Sequence, residues 1–185
     1  MAVFRGCRLN LGGTLTFLVL LVGSSVAWAD GLGSSQIQGN VNNRFTLSVD
    51  LAQQSEVEAD IQQEVLNLVN AEREQVGADR LVLNSQLNQA AQRHALDLVR
   101  QGRLSHTGSD GSTMQTRIEA TDYRWSSIGE NVAMGQSSPE AVMRSWMGSR
   151  GHRQNILNPS FSDLGVGYVE DRGANYWVQV FASPR

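Results

Sequence analysis

The chain has 185 residues, a formal net charge of −3 and a single cysteine. That is enough for one domain with its own core, and it excludes a disulfide-stapled scaffold. There is no lysine, and the fifteen arginines form no basic run, so the usual footprint of a nucleic-acid or anionic-membrane binder is missing.

Arg5 and Arg8 precede an apolar run over 15–22, and Ala27-Trp28-Ala29 follows as a small-x-small cleavage site. This is the pattern of a secretory signal peptide over 1–29; the run is too short to span a bilayer. Cleavage after Ala29 removes 29 of 185 residues and leaves 156, starting at Asp30. Cys7 goes with the peptide, so no disulfide, thiol nucleophile or cysteine metal ligand remains. Arg5 and Arg8 also go, leaving 13 arginines against 18 acidic residues, a net charge of −5. The expected location is secreted or periplasmic.

Residues 30–54 are rich in Gly, Ser, Gln and Asn and read as a flexible leader. The alternation of Phe45, Leu47, Val49 and Leu51 leaves an added strand as the alternative. The domain proper is expected over 55–185. Ser55-Glu56-Val57-Glu58 is a capping box that predicts a helix start near Ser55. Ile61, Val65, Leu68 and Val69 keep helical spacing, and Gly77 ends the helix. After the apolar patch Leu81-Val82-Leu83, Asn84 caps a second helix. Leu87, Ala91, His94 and Leu98 share its face and Gly102 closes it. Thr113 to Ala120 reads as a short third helix. Ser138-Pro139-Glu140 starts a fourth, carrying Val142, Met143 and Trp146 and stopping at Gly148. Residues 164–169 and 176–181 read as two strands joined through Glu170 to Asn175. Helices first and strands late predict an α+β fold with helices packed on an antiparallel sheet.

Two of the three histidines fall in Gly-flanked polar stretches: His106 in Ser105-His106-Thr107-Gly108, and His152 in Gly151-His152-Arg153-Gln154-Asn155. Glu130 lies between Gly129 and Asn131. Brought together by the fold, two imidazoles and a carboxylate can bind a divalent metal or move protons. Each residue also has a plainer reading: a loop histidine bonding backbone, an edge-strand charge in water, and a cap at a helical turn. His94 shares a face with Leu87, Ala91 and Leu98 and is expected to be a packed, hydrogen-bonded core histidine. Trp125, Trp146 and Trp177 are expected in the core or a cleft wall. Gly102, Gly165 and Gly167 read as backbone requirements rather than phosphate loops. There is no His-Glu-x-x-His helix. Ser105, Ser109 and Ser149 lack a nucleophile-elbow setting, which disfavours a serine triad.

Several segments, taken in order, resemble one family. They are Asn70-Ala71-Glu72-Arg73, His94-Ala95 with Asp97, Ser105-His106, Gly129-Glu130-Asn131-Val132-Ala133 and Trp146-Met147-Gly148-Ser149. The run Gly151 to Leu157 with Asn158-Pro159, then Gly165-Val166-Gly167-Tyr168 and Tyr176 to Phe181, complete the set. Together they resemble the CAP superfamily of pathogenesis-related and cysteine-rich secretory proteins, in its bacterial cysteine-free branch, over about 57–185. The resemblance implies a three-layer α-β-α sandwich with a central antiparallel sheet, in which 129–133 supply a further strand. It also implies a cleft lined by His106, Glu130 and His152.

Many relatives carry a second cleft glutamate three positions after the helix tryptophan; here that position is Ser149, with Glu140 or Asp163 as candidate substitutes. Zinc or another divalent metal would be held by His106 and His152, with Glu130 as ligand or as base for a bound water. The leading expectation is a binding domain for a small lipid, sterol or glycan at the cell envelope, with a divalent metal as an option. A metal-assisted hydrolase of peptides, esters or phosphodiesters is the alternative, and a structural or interaction domain the third.

Overall fold

The computed structural model describes the backbone of residues 34–185 and the side chains of 53–185. The expected signal peptide, its cleavage site, Cys7 and residues 30–33 lie outside the described residues. The chain divides into two units, 1–41 and 42–185. Of the first, only the start of helix α1 is described.

Helix α1 runs unbroken over Ser34–Gln75. The start expected near Ser55 is therefore not observed, and 44–51 are helical rather than a strand or a loop. These residues contain no proline and a single glycine, Gly39. Propagating a helix adds one backbone bond per residue, whereas a capping box is only a local preference. The helix ends where the sequence indicates, with Gly77 in the left-handed region at φ 71°.

Strand β1 (Val82–Leu83) precedes α2 (Ser85–Gln101). Asn84 caps α2 by accepting from the amides of Gln86 and Leu87, and Gly102, at φ 62°, closes it. The short α3 (Met114–Glu119) carries a Thr113/Thr116 capping box. Then come β2 (Trp125–Met134), α4 (Pro139–Gly148), α5 (Arg150–Ile156), β3 (Asp163–Asp171) and β4 (Ala174–Pro184). The link expected over 170–175 tightens to a two-residue turn, Arg172-Gly173, both at positive φ. That geometry matches the twist of the flanking strands.

The sheet order is β1-β3-β4-β2. It is antiparallel except for the two-residue β1–β3 pair, which is parallel. Both faces are covered, which gives the three-layer sandwich. Along β4, Trp177 and Phe181 enter the core with Val65 and Val69 of α1, Val142 and Trp146 of α4, and Ile156 of α5. Tyr176, Val178, Val180 and Ala182 enter the other core, with Leu87, Ala91, Ala95 and Leu98 of α2 and Ile118 of α3. This is the period-2 alternation of a strand buried on both sides. Trp146 and Trp177 are core residues; Trp125 is half-buried.

Helix α2 lies directly on β3. A Cβ at Gly165 would overlap the Leu87 backbone, and one at Gly167 the backbone of Ala91. Neither neighbour is a side chain that can swing away. Gly167→Ala is therefore expected to lower the unfolding free energy by about 1–3 kcal/mol, the range for overpacking. Urea unfolding checks this, and an unchanged midpoint would contradict the close approach.

Candidate functional site

Glu130 sits in the middle of β2, paired with Val180 of β4. Its neighbour two residues on, Val132, faces the α2–α3 core. Alternation therefore sends the carboxylate toward those helices, where its side chain is only 2% exposed. A buried carboxylate is costly unless it is paired and hydrogen-bonded, and two side chains meet it. The His106 Nδ1–H donates to Oε1 at 2.9 Å, and the Arg117 guanidinium donates to Oε2 at 2.7 Å. A third base lies near: His94 Nε2 is 3.8 Å from Oε1.

His106 owes its place to α2. Gly102 turns the chain back, and the His94 Nε2–H donates to the Ser105 carbonyl at 2.8 Å. Arg117 closes the loop from the other side, donating to the carbonyls of Ser112 and His106. His94 is fully buried, as its helical spacing indicated, and it also fixes the backbone beside His106. With Nδ1–H given to the carboxylate, His106 presents Nε2 outward, and its side chain is 62% exposed.

His152 is held differently. It lies in α5, which docks on the opposite face of β2 through amides. Asn155 donates to the Glu130 carbonyl at 3.1 Å and to Asn131 Oδ1 at 2.8 Å. Asn131 in turn donates to the His152 carbonyl and to Gln179 Oε1. Gly129 makes room for this docking, since a Cβ there would crowd Phe161 and Asn155. The His152 imidazole makes no hydrogen bond among the described residues. It stands close enough to His106 for that charge to oppose its protonation. The structure thus bonds His106 directly to Glu130 and brings His152 within electrostatic reach of His106.

The three imidazoles differ in basicity. The hydrogen bond to Glu130, chiefly, raises the pKa of His106 above its ordinary value. Burial lowers that of His94, and burial with the His106 charge lowers that of His152.

The candidate substitutes for the second glutamate are elsewhere. Asp163 accepts from Tyr123 and Asn84. Glu140 accepts from Ser138 in the first turn of α4. Neither bonds to His106, Glu130 or His152. The serines form no triad: the Ser105 hydroxyl donates to the Thr107 carbonyl and that of Ser109 to Asp97.

Among the described residues, no group of three or more His, Cys, Asp or Glu is placed to hold a metal ion. Glu130 is already matched by Arg117. The donors left for an ion are the two imidazoles, short of the three or four protein ligands of zinc sites.

Arg117, Asn155 and Gln179 are the residues that sequence reasoning missed. Asn155 had a signal, three residues after His152 and so on the same helical face. Arg117 and Gln179 had none, because only the sheet and its layers bring them to the site.

A model of the "Cysteine-rich secretory protein family" (CAP) matches residues 66–181. The chain is 35% identical over 120 residues to the uncharacterized protein YkwD of Bacillus subtilis, covering 65% of this chain and 46% of that one. It is 28% identical to the uncharacterized membrane protein YlbC of the same organism, covering 34% of that chain. The chain thus spans less than half the length of these curated relatives. A crystal structure of an extracellular SCP-domain protein from Bacillus anthracis superimposes with a TM-score of 0.64 at 29% identity, over 69% of this chain and 42% of that one. An outer surface protein of Borrelia burgdorferi shares the fold, with a TM-score of 0.59 at 20% identity, over 63% of this chain and 87% of that one.

Proposed function

Because the chain belongs to the cysteine-rich secretory protein (CAP) family, we propose that it is an exported binding domain without hydrolytic activity. Its cleft takes a hydroxyl-bearing ligand, such as a sterol, a lipid headgroup or a sugar, on the outward edges of His106 and His152. Export rests on the N-terminal sequence pattern and on similarity to an extracellular Bacillus anthracis protein. No helix among the described residues is long and apolar enough to cross a membrane.

The state of Glu130 carries this reading. A hydrolytic base must reach its water or substrate within hydrogen-bond distance. Both Glu130 oxygens are bonded, to His106 and Arg117, and the side chain is 2% exposed. The carboxylate orients His106 instead. The outward His106 Nε2 then meets a ligand hydroxyl, as acceptor when the ring is neutral and as donor when it is protonated, and the unbonded His152 imidazole offers a second polar edge. A divalent ion, if bound, would use these same two imidazoles and waters, and would polarise an oxygen of the ligand.

The test is a binding panel of sterols, phospholipid vesicles and saccharides, each with and without zinc. It compares the wild type with a His106→Ala/His152→Ala variant, and turnover of ester and peptide substrates is followed in parallel. The variant is expected to lose at least about tenfold in affinity, with no turnover in either protein. Undiminished binding would contradict the cleft as the site. Turnover that disappears in Glu130→Gln would establish hydrolysis instead.

A further inference from the structure

A hollow of about 620 Å³ lies between α3, the entry to β2 and Arg185 just beyond β4. Its size falls within the range of small-molecule sites. None of His106, Glu130 or His152 is on its wall, so it is distinct from the cleft.

We propose that this hollow binds a neutral saccharide, with one pyranose face laid on the indole of Trp125. The backbone aims that ring. The β2–β4 register shifts between Trp125 and Ser127. Ser126 sits in the irregularity, its hydroxyl donating to the Ser183 and Pro184 carbonyls at 3.3 and 3.2 Å. Beyond it the strand alternates: Ile128 and Val132 face the α2–α3 layer, whereas Gly129 and Asn131 face α5. Unbroken alternation would send Trp125 to the α5 side. The shift turns it instead to the α3 side, with Ile128. Bulges re-aim side chains in this way.

The ring also has an open polar edge. The core indoles Trp146 and Trp177 donate to the Val132 and Gln136 carbonyls. Trp125 is half-buried, and its Nε1–H has no acceptor among the described residues. The unpaired side-chain atoms sealed from solvent belong to His94, Gln136 and Gln179, so the Trp125 Nε1–H remains reachable. An indole that is wet at one end offers a flat face and a donor together. The slightly positive axial C–H bonds of a pyranose fit that face, whose π-system is negative.

The rim supplies partners for hydroxyls. Gln115 and Glu119 are exposed on α3, and the Gln115 amide donates to the Glu119 carboxylate at 3.1 Å. The guanidiniums of Arg124 and Arg185 enter no ion pair or hydrogen bond among the described residues. Planar donors and acceptors of this kind bond neighbouring hydroxyls in pairs. The wall carries both signs of charge. A cation would meet two arginines, a lone anion would meet Glu119, and neither would use the ring face.

The test titrates the full-length protein with cellotriose and triacetylchitotriose, and with sorbitol, which has the hydroxyls but no ring face. Calorimetry gives the affinity, and the ¹H–¹⁵N signal of the Trp125 indole reports the contact. Saturable binding of at least one trisaccharide is expected, with a shift of that signal. Trp125→Leu, which keeps an apolar side chain but no flat face, should weaken binding at least about tenfold. Glu119→Ala/Arg124→Ala, both surface changes, should do the same. His106→Ala/His152→Ala should leave it unchanged, since it alters only the cleft. Equal binding of sorbitol, no saturable binding of either trisaccharide, an indole signal unmoved at saturation, or wild-type affinity in the Glu119/Arg124 variant would overturn the proposal. Loss of binding in the double histidine variant alone would overturn it too, and would assign the sugar to the cleft instead.

Discussion

Arg73→Met is expected to lower the unfolding free energy by about 3–5 kcal/mol, because it strands the backbone carbonyls that accept from a buried guanidinium. Arg73 is fully buried in the last turn of α1. Its guanidinium donates to four carbonyls: Asp79 at 2.7 Å, Ile156 at 2.9 Å, Asn158 at 2.8 Å and Phe161 at 3.2 Å. Those carbonyls belong to the turn after α1, the end of α5 and the approach to β3. One side chain thus ties α1 to the segment that carries His152. Burial lowers its pKa, and the Asp79 charge partly offsets this. Met keeps much of the aliphatic volume but leaves the carbonyls without a donor, each worth about 1–3 kcal/mol when buried and unmet. Lysine would restore the charge without the fork, so Arg73→Lys should recover only part of the loss. Equilibrium urea unfolding at pH 7 is the measurement. A loss under about 1 kcal/mol would show that the clamp contributes little.

The second large effect is expected at Glu130. Glu130→Gln should cost about 3 kcal/mol, because it keeps the shape but leaves the Arg117 charge nine-tenths buried without its counter-ion. Arg117→Met in the same protein should then recover part of that loss, with a coupling of at least about 1 kcal/mol in a double-mutant cycle. Additive losses would contradict a direct partnership. The pH dependence follows from the directions of the histidine shifts. His106 has a raised pKa in the folded state. Its contribution is present in full below the unfolded value of about 6.5 and is lost as pH rises through the folded value. His94 and His152 have lowered values, so their contributions run the other way and erode stability as pH falls below about 6.5. These opposing signs overlap in a global melt, and only individual imidazole signals separate them.

What could be read from the letters depended on how local the cause was. Asn84, Gly102, Thr113 and Ser138 bound their helices as expected because a cap is decided within four residues. The start of α1 was misplaced for the opposite reason: Ser55 is a good local cap, but nothing upstream stops the helix. The β3–β4 hairpin was legible, and the parallel β1–β3 pair was not, since two residues carry no period. The strand holding Glu130 came from family resemblance rather than from its alternation.

In the site, His106 and His152 stood out because the chain has only three histidines, whereas Glu130, one of nine glutamates, was picked out by family resemblance. The counter-ion of Glu130 was not legible. Arg117 lies 13 residues before Glu130 on a separate helix, and only packing of α3 on the sheet joins them. Arg73 did leave a trace: Val65, Val69 and Arg73 continue one stripe at i, i+4, i+8, so the arginine falls where an apolar residue belongs.

Glu130 accepts from the His106 Nδ1–H, which leaves Nε2 as the nitrogen that would meet the proposed ligand. Nitrogen-resolved NMR of the His106 imidazole between pH 5 and 9, in the wild type and in Glu130→Gln, reads this directly. The expected result is a neutral Nδ1–H tautomer with a midpoint above about 6.5, falling when the carboxylate is neutralised. A neutral Nε2–H tautomer, or a midpoint indifferent to Glu130→Gln, would contradict it.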